Sequence, residues 1–138
     1  MIPYRVSVSL AAIMTVIAGL SSRTAVMPGW VLTHGGDVLW TVLVVWIFCF
    51  LRPRASAFWL AVSAFAFAVL VECSQLYGGE GWFSRMRDTR IGRLALGYGF
   101  VWSDFPRYFV GAGLGGLLKG LLDSFYRSSE EIRSGNKA

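Results

Sequence analysis

The most informative segment of this sequence is 55-ASAFWLAVSAFAFAVLVECSQL-76, in which Glu72 is the only charged residue. An α-helix needs about 20 predominantly apolar residues to cross the hydrocarbon core of a bilayer. The segment therefore predicts a transmembrane helix. Glu72 and Gln75 come near its end, and their spacing of three places both side chains on one face of that helix.

The rest of the chain repeats this pattern of long apolar runs separated by short charged clusters. Hydrophobic residues make up 55% of the 138 residues and charged residues 15%. A soluble domain of this length could not bury so much apolar surface. We therefore expect an all-α membrane protein, a four-helix transmembrane bundle forming a single domain over residues 1–123. The predicted spans are about 5–22, 37–51, 56–76 and 104–122.

The first span has an alternative interpretation as a cleaved signal peptide, because Arg5 precedes an apolar stretch. The small-residue pattern expected at a cleavage site is poor near residues 19–22. Two connections carry turn signals. Arg52-Pro53-Arg54 predicts a tight turn, and His34-Gly35-Gly36-Asp37 predicts a turn followed by Asp37 as the cap of the second span. Because that span is short, His34 and Asp37 are expected at the membrane interface.

The segment between the third and fourth spans, 82–103, predicts an interfacial stretch, because it mixes apolar side chains with arginines. Its last part, 94–103, is uncharged but too short to cross the bilayer, so it is either re-entrant or surface-lying. Residues 124–138 predict a polar C-terminal tail.

The fourth span contains glycines four residues apart, a pattern that lets helix backbones approach closely in lipid. These glycines are Gly111, Gly115, Gly116 and Gly120. We expect them to form a seam with another helix of the bundle, or the surface that contacts a membrane-protein partner or a second copy of the chain. Pro106 supports a helix start, and Lys119 is expected to extend to the nearby interface.

Four spans place both termini on the same side of the membrane. Arg52 and Arg54 lie in a very short loop, where the positive-inside rule is strongest, so we expect cytoplasmic termini. The net charge of +5 comes largely from arginines at the edges of apolar runs, which favours membrane lipids as partners over nucleic acid. Cys49 and Cys73 lack a second Cys or His at metal-ligand spacing and are interpreted as small buried hydrophobes. We expect no metal and no cofactor.

With this topology, polar residues from four segments converge at the outer face. One interpretation is structural, with carboxylates and arginines forming ion pairs and caps that lock the bundle. The other is a polar pocket in which Arg87 or Arg90 holds a phosphate or carboxylate and Glu72 gives or takes a proton. The candidate site residues are Asp37, Glu72, Gln75, Arg87, Arg90 and Asp104.

Four blocks of the sequence carry a resemblance to a known family. They are Gly36-Asp37-x-Leu39-Trp40, Glu72-x-x-Gln75-Leu76-Tyr77, Arg87-x-Thr89-Arg90-x-Gly92 and Phe100-x-Trp102-Ser103-Asp104. From Arg23 to about Leu121 the chain resembles the domain-of-unknown-function 2809 family of small bacterial membrane proteins. The resemblance implies a multi-pass protein of the bacterial inner membrane that shares these polar residues, without an established activity.

A more distant resemblance is to the VanZ-like proteins, which are linked to resistance to a glycopeptide antibiotic. It rests on an Asp before one span, Glu-x-x-Gln at the end of another, and an Arg followed by an Asp at the start of the last. This chain departs from that pattern where an Asn usually follows the last Asp, since Pro106 and Arg107 stand there.

These observations leave several functions open. We favour a protein that binds an anionic lipid or lipid-linked headgroup at the outer face. The alternatives are a proton-coupled small transporter, which would need an oligomer because four helices are few, and a structural partner subunit. An enzyme is less favoured, because Ser74 and Ser103 lack a neighbouring His.

Overall fold

The computed structural model of the chain describes residues 3–24, 26–76, 85–86, 88–89, 91–92 and 100–135. Within these ranges the chain is helical and contains no strand, which confirms the all-α prediction. The four helices are α1 (Tyr4–Ser21), α2 (Gly29–Leu51), α3 (Ala57–Ser74) and α4 (Asp104–Gly135). By length and composition, α1, α2 and α3 can each cross a membrane.

The helix ends follow from local sequence. α1 follows Pro3 and α2 follows Pro28, residues whose fixed φ suits the entry to a helix. α3 begins after Ser56, whose hydroxyl accepts a hydrogen bond from the backbone N–H of Trp59 at 3.4 Å. α2 ends because Arg52 precedes a proline and leaves the helical conformation, with φ −130° and ψ 72°.

The start of α2 differs from the prediction. A turn and a helix cap were expected at Gly35-Gly36-Asp37, but all three residues lie inside α2. A Cβ at Gly36 would lie 3.0 Å from the guanidinium of Arg23, and one at Gly35 would lie 3.3 Å from the Cβ of Ser22. The two glycines therefore allow the end of α1 to pack closely on α2, and Pro28 is the residue that marks the start of the helix.

α2 is the central helix, since it packs against α1, α3 and α4. Its side chains Val42, Val45 and Cys49 are almost completely buried, in a core shared with Val8 of α1 and Ala64 of α3. Arg107 near the start of α4 pairs with Asp37 in the first half of α2, and further along both helices Gly115 lies against Val45. α2 and α4 therefore run in the same direction, opposite to α1 and α3.

The glycines of α4 fall into two groups. A Cβ at Gly111 would meet the backbone oxygen of Val38, and one at Gly115 would lie 2.8 Å from a methyl group of Val45, so these two glycines lie against α2. Gly116 lies against α3, where its Cβ would be 3.1 Å from that of Ala61. Nothing lies within 4 Å of a Cβ at Gly113 or Gly120 among the described residues.

α4 is longer and more polar than the other helices. It continues to Gly135, through most of the segment predicted as a polar tail. It is not among the helices that length and composition identify as membrane-crossing, and its first 18 residues include Asp104, Arg107 and Lys119.

Candidate functional site

Polar side chains gather beside the first half of α2, where α3 ends and α4 begins, and we call this region the carboxylate end. Its ion pairs centre on Arg107 of α4. Nη1 of Arg107 lies 2.9 Å from Oδ2 of Asp37 on α2 and 2.6 Å from Oδ1 of Asp104. All three side chains are less than one third exposed. One guanidinium thus joins two carboxylates from two helices, which arginine's fork of donors permits.

Glu72 is the most deeply placed member, with 1% of its surface exposed. Its Oε2 accepts hydrogen bonds from the hydroxyl of Tyr108 and the side-chain amide of Gln75, each at 2.8 Å. Its Oε1 accepts the backbone N–H of Val101 at 2.7 Å. A buried carboxylate is tolerated only when its oxygens have partners, and here the partners come from α3, from α4 and from the chain just before α4.

Aromatic rings form the inner boundary of the carboxylate end. Tyr108 is 7% exposed, and its ring lies 5.9 Å from that of Trp40 on α2. Trp40 in turn stacks on Phe67 of α3 at 6.3 Å. These rings separate the carboxylates from the apolar interior of the helices. Because burial against these rings keeps water away, electrostatic interactions at the site are stronger than they would be in water.

The described carboxylates outnumber the described cations at this end. Asp37, Glu72 and Asp104 carry three carboxyl groups, and Arg107 is the one basic side chain paired with any of them in the described part. Ser103 adds a hydroxyl 3.5 Å from both Arg107 and Asp104. The side-chain carbonyl of Gln75 is buried and has no donor within reach among the described residues.

The structure brings four of the six candidate site residues to one place, namely Asp37, Glu72, Gln75 and Asp104. The other two, Arg87 and Arg90, lie outside the described residues. His34 lies on α2, not in a loop, and its side chain is exposed. No group of three or more His, Cys, Asp or Glu side chains among the described residues could hold a metal ion.

Two members of the site were missed by the sequence analysis. Arg107 was noted only for where it stands in the chain, and Tyr108 was not noted. Pro106 was the available signal, because a proline in the first turn fixes where α4 begins and hence which side chains face α2 and α3. Arg107 and Tyr108 follow it directly.

A second polar cluster lies at the opposite end, where α1 begins and α2 ends, and we call it the lysine end. Nζ of Lys119 is 2.5 Å from Oδ2 of Asp123, and the hydroxyl of Tyr4 donates to Oδ1 of Asp123 at 2.7 Å. The Cys49 sulfur is 3.5 Å from the same hydroxyl. Along α4, the rise from Arg107 to Lys119 is about 18 Å.

The lysine end corrects two expectations. Lys119 was expected to extend to the membrane interface, but it is 1% exposed and paired one turn away with Asp123. Both cysteines were interpreted as buried. Cys49 is buried, whereas Cys73 is exposed on α3. Asp123 explains why Lys119 can be buried, since a buried ammonium group requires a partner.

Comparison with known proteins identifies a family but no structural relative. No solved structure matches this chain. A family model described as a protein of unknown function (DUF2809) matches residues 26–112, which confirms the family resemblance seen in the four sequence blocks. The matched region contains every residue of the carboxylate end, while Tyr4, Lys119 and Asp123 lie outside it. Because the match covers more than half of its length, this chain belongs to the DUF2809 family, whose function is unknown.

Proposed function

We propose that this protein is a four-helix protein of the bacterial inner membrane that binds an anionic lipid or lipid-linked headgroup at the carboxylate end. In this proposal α4 is the fourth span, from Asp104 to about residue 122. Its contacts with α2 extend from Gly111 to Gly115, and α2 is itself long enough to cross a membrane. The charges that make α4 polar are paired, Arg107 with two carboxylates and Lys119 with one. Paired charges are tolerated at membrane depth.

The proposed orientation places the carboxylate end at the outer face and both termini in the cytoplasm. It rests on Arg52 and Arg54 in the short turn between α2 and α3, at the lysine end. At the carboxylate end, the ring of Trp102 stacks on Phe105 at 5.5 Å and is 76% exposed. Exposed tryptophans next to membrane helices are typical of headgroup depth, and this supports a site that reaches lipid headgroups. The predicted interfacial segment 82–103 lies largely outside the described residues.

The binding proposal rests on Glu72, which contacts both ends of the chain segment that contains Arg87 and Arg90; we call it the arginine-rich segment. The chain leaves α3 at Gln75, whose amide donates to Glu72, and it returns at Val101, whose N–H donates to the same carboxylate. Arg87 and Arg90 lie in the chain between these two anchored points. The segment that contains both arginines therefore begins and ends at the carboxylate end.

The mixture of charges indicates what kind of headgroup would fit. Arginine side chains bind phosphate through paired, charge-assisted hydrogen bonds. Asp37 and Asp104 each use one oxygen on Arg107, so the remaining oxygens could accept hydroxyl or amine donors. A headgroup that combines a phosphate with hydroxyl groups matches both the arginines and the carboxylates of this site.

The test is native mass spectrometry of the detergent-purified protein with three probe lipids: phosphatidylglycerol, a polyprenyl phosphate and phosphatidylcholine. The test variant is Arg87→Gln/Arg90→Gln, and the matched control is Arg127→Gln/Arg133→Gln, which removes two exposed arginines from α4. We expect the wild type and the control to retain an anionic probe, and the test variant to bind it about tenfold more weakly for each arginine lost. Equal retention by all three proteins would disprove the proposal.

A proton-coupled small transporter is the second candidate, and it is favoured by the three carboxyl groups at the carboxylate end, with which one described arginine is paired. A buried carboxylate such as Glu72 is typical of proton pathways. In liposomes with a trapped pH-sensitive dye, proton flux by the wild type and its loss in Glu72→Gln would support transport. Flux equal to that of empty liposomes would exclude this candidate.

A contact with a second copy of the chain, or with another membrane protein, is proposed on the open side of α4. Gly111 and Gly115 are already in contact with α2, so a partner helix would approach at Gly113 and Gly120. Light scattering of the purified protein distinguishes a homo-oligomer from a complex with another membrane protein, because the protein mass of a homo-oligomer is a multiple of the 15.2 kDa chain mass.

A further inference from the structure

The turn between α2 and α3 and the start of α1 together line an open pocket of about 660 Å³ at the lysine end. Three arginines surround it, Arg5, Arg52 and Arg54, and all three are exposed. The ion pairs within the described ranges are those of Arg107 and Lys119, so none of these three arginines has a carboxylate partner there. We call this region the arginine pocket. It concentrates three uncompensated positive charges from two helix ends and a turn.

An apolar groove of about 320 Å³ runs along the surface between α1 and α2. Its lining comes from Val8, Ala12 and Ile13 of α1 and from Trp46, Ile47 and Phe50 of α2. The groove meets the arginine pocket at Phe50, because the guanidinium of Arg5 lies 5.5 Å from the centre of that ring. The surface is therefore positively charged at one end and apolar along the adjoining groove.

We infer that the arginine pocket and the groove together bind one anionic phospholipid. The phosphate accepts hydrogen bonds from the guanidinium groups, and one acyl chain lies in the groove between α1 and α2. Three positive charges favour a lipid with net negative charge, since a zwitterionic lipid brings its own ammonium group into the pocket. A free phosphate would use the arginines but would leave the groove empty.

This site is separate from the proposed headgroup site and does not depend on it. The arginine pocket lies beside Tyr4 and Ala55 at the lysine end, whereas Arg107 and Glu72 lie at the other end of the helices. The bound lipid would contact α1 through Arg5, α2 through Arg52 and the following turn through Arg54. It would therefore hold α1 against α2, and the melting temperature should rise with the concentration of anionic lipid.

The test measures binding of phosphatidylglycerol and of phosphatidylcholine with the same acyl chains, and of glycerol 3-phosphate, by native mass spectrometry. The headgroup variant is Arg52→Gln/Arg54→Gln, and its matched control is Arg127→Gln/Arg133→Gln, two exposed arginines outside the pocket. The groove variant is Ile47→Trp, at a 46% exposed position, and its control is Leu70→Trp, at a 68% exposed position on α3. Circular dichroism checks that each variant keeps the wild-type helix content.

Besides any lipid that is lost in Arg87→Gln/Arg90→Gln, we expect the wild type and both controls to retain one phosphatidylglycerol in preference to phosphatidylcholine. The headgroup variant should bind it about 25-fold more weakly, about fivefold for each arginine, and the groove variant should also lose it. Four results would overturn the inference: equal retention by the headgroup variant and its control, equal binding of the two lipids, equal binding of glycerol 3-phosphate, or a lipid-free dimer in the wild type. Loss of a lipid only in Arg87→Gln/Arg90→Gln would assign it to the carboxylate end instead.

Discussion

At the lysine end, Lys119 and Asp123 form one ion pair between neighbouring turns of α4, and Tyr4 completes the hydrogen bonding of the aspartate. At the carboxylate end, Arg107 pairs with aspartates from two helices, and Glu72 accepts hydrogen bonds only from neutral donors among the described residues. The ion pair of the first cluster is balanced and lies within one helix. The second joins three parts of the chain, and among its described side chains three carboxyl groups have one arginine paired with them.

The difference indicates different roles for the two ends. A balanced pair on one helix satisfies its own charges, so its main consequence is structural. An excess of carboxylates near the membrane is costly unless a further cation, a proton or a ligand compensates it. The carboxylate end is also the part that the family model covers, whereas Lys119 and Asp123 lie beyond it. Function is therefore better sought at the carboxylate end.

The largest effect is expected from Asp123→Ala, which leaves the buried ammonium group of Lys119 without its counterion. Removing one partner of a buried pair should lower the free energy of unfolding by about 3–5 kcal/mol. Titration with a denaturing detergent, followed by circular dichroism, measures it. The double variant Lys119→Met/Asp123→Ala should recover most of the loss, because it removes both charges. A double variant as unstable as the single one would contradict a purely structural role for the Lys119–Asp123 pair.

The next largest effect is expected from Glu72→Leu. This change leaves the Tyr108 hydroxyl and the Val101 N–H without an acceptor, which should lower the free energy of unfolding by about 2–3 kcal/mol. The same titration measures it. No second substitution should restore binding of the anionic probe lipid, because the proposed role of Glu72 includes anchoring the arginine-rich segment. If Glu72→Leu retains the lipid that Arg87→Gln/Arg90→Gln loses, the role of Glu72 is only structural.

A smaller effect is expected from Gly115→Ala, in the part of α4 that joins the two ends. The added Cβ would lie 2.8 Å from a methyl group of Val45, so α2 and α4 must move apart, at about 1–2 kcal/mol. Gly113→Ala is the matched control, since nothing among the described residues lies within 4 Å of its Cβ. Alanine favours helix over glycine, so the control should be neutral or slightly more stable. Thermal unfolding of both variants distinguishes these outcomes.

The smallest effect is expected from Tyr108→Phe, which keeps the ring against Trp40 and removes only the hydroxyl. Glu72 retains its bonds to Gln75 and Val101, so the loss should be about 1 kcal/mol. Differential scanning fluorimetry resolves this shift. A loss as large as that of Glu72→Leu would mean that Tyr108 carries most of the contact between α3 and α4.

The sequence analysis was most reliable where the signal is local. The spacing of Glu72 and Gln75 predicted one helix face, and the two side chains are hydrogen-bonded at 2.8 Å. It failed at α2, where Gly35 and Gly36 were interpreted as a turn. Glycine serves both turns and close helix contacts, and only the position of Arg23 shows which applies.

By itself, the sequence determined that this chain is helical, that three of its apolar runs can cross a membrane, and that Pro53 follows the end of one helix and Pro106 marks the start of another, because these properties depend on residues within one or two turns. Only the tertiary structure decided which charges meet. Asp37 and Arg107 are 70 positions apart, and Tyr4 and Asp123 are 119 apart. Such pairs depend on the direction and rotation of packed helices. For that reason Lys119 could be expected at the interface from its sequence, yet it is buried beside its aspartate.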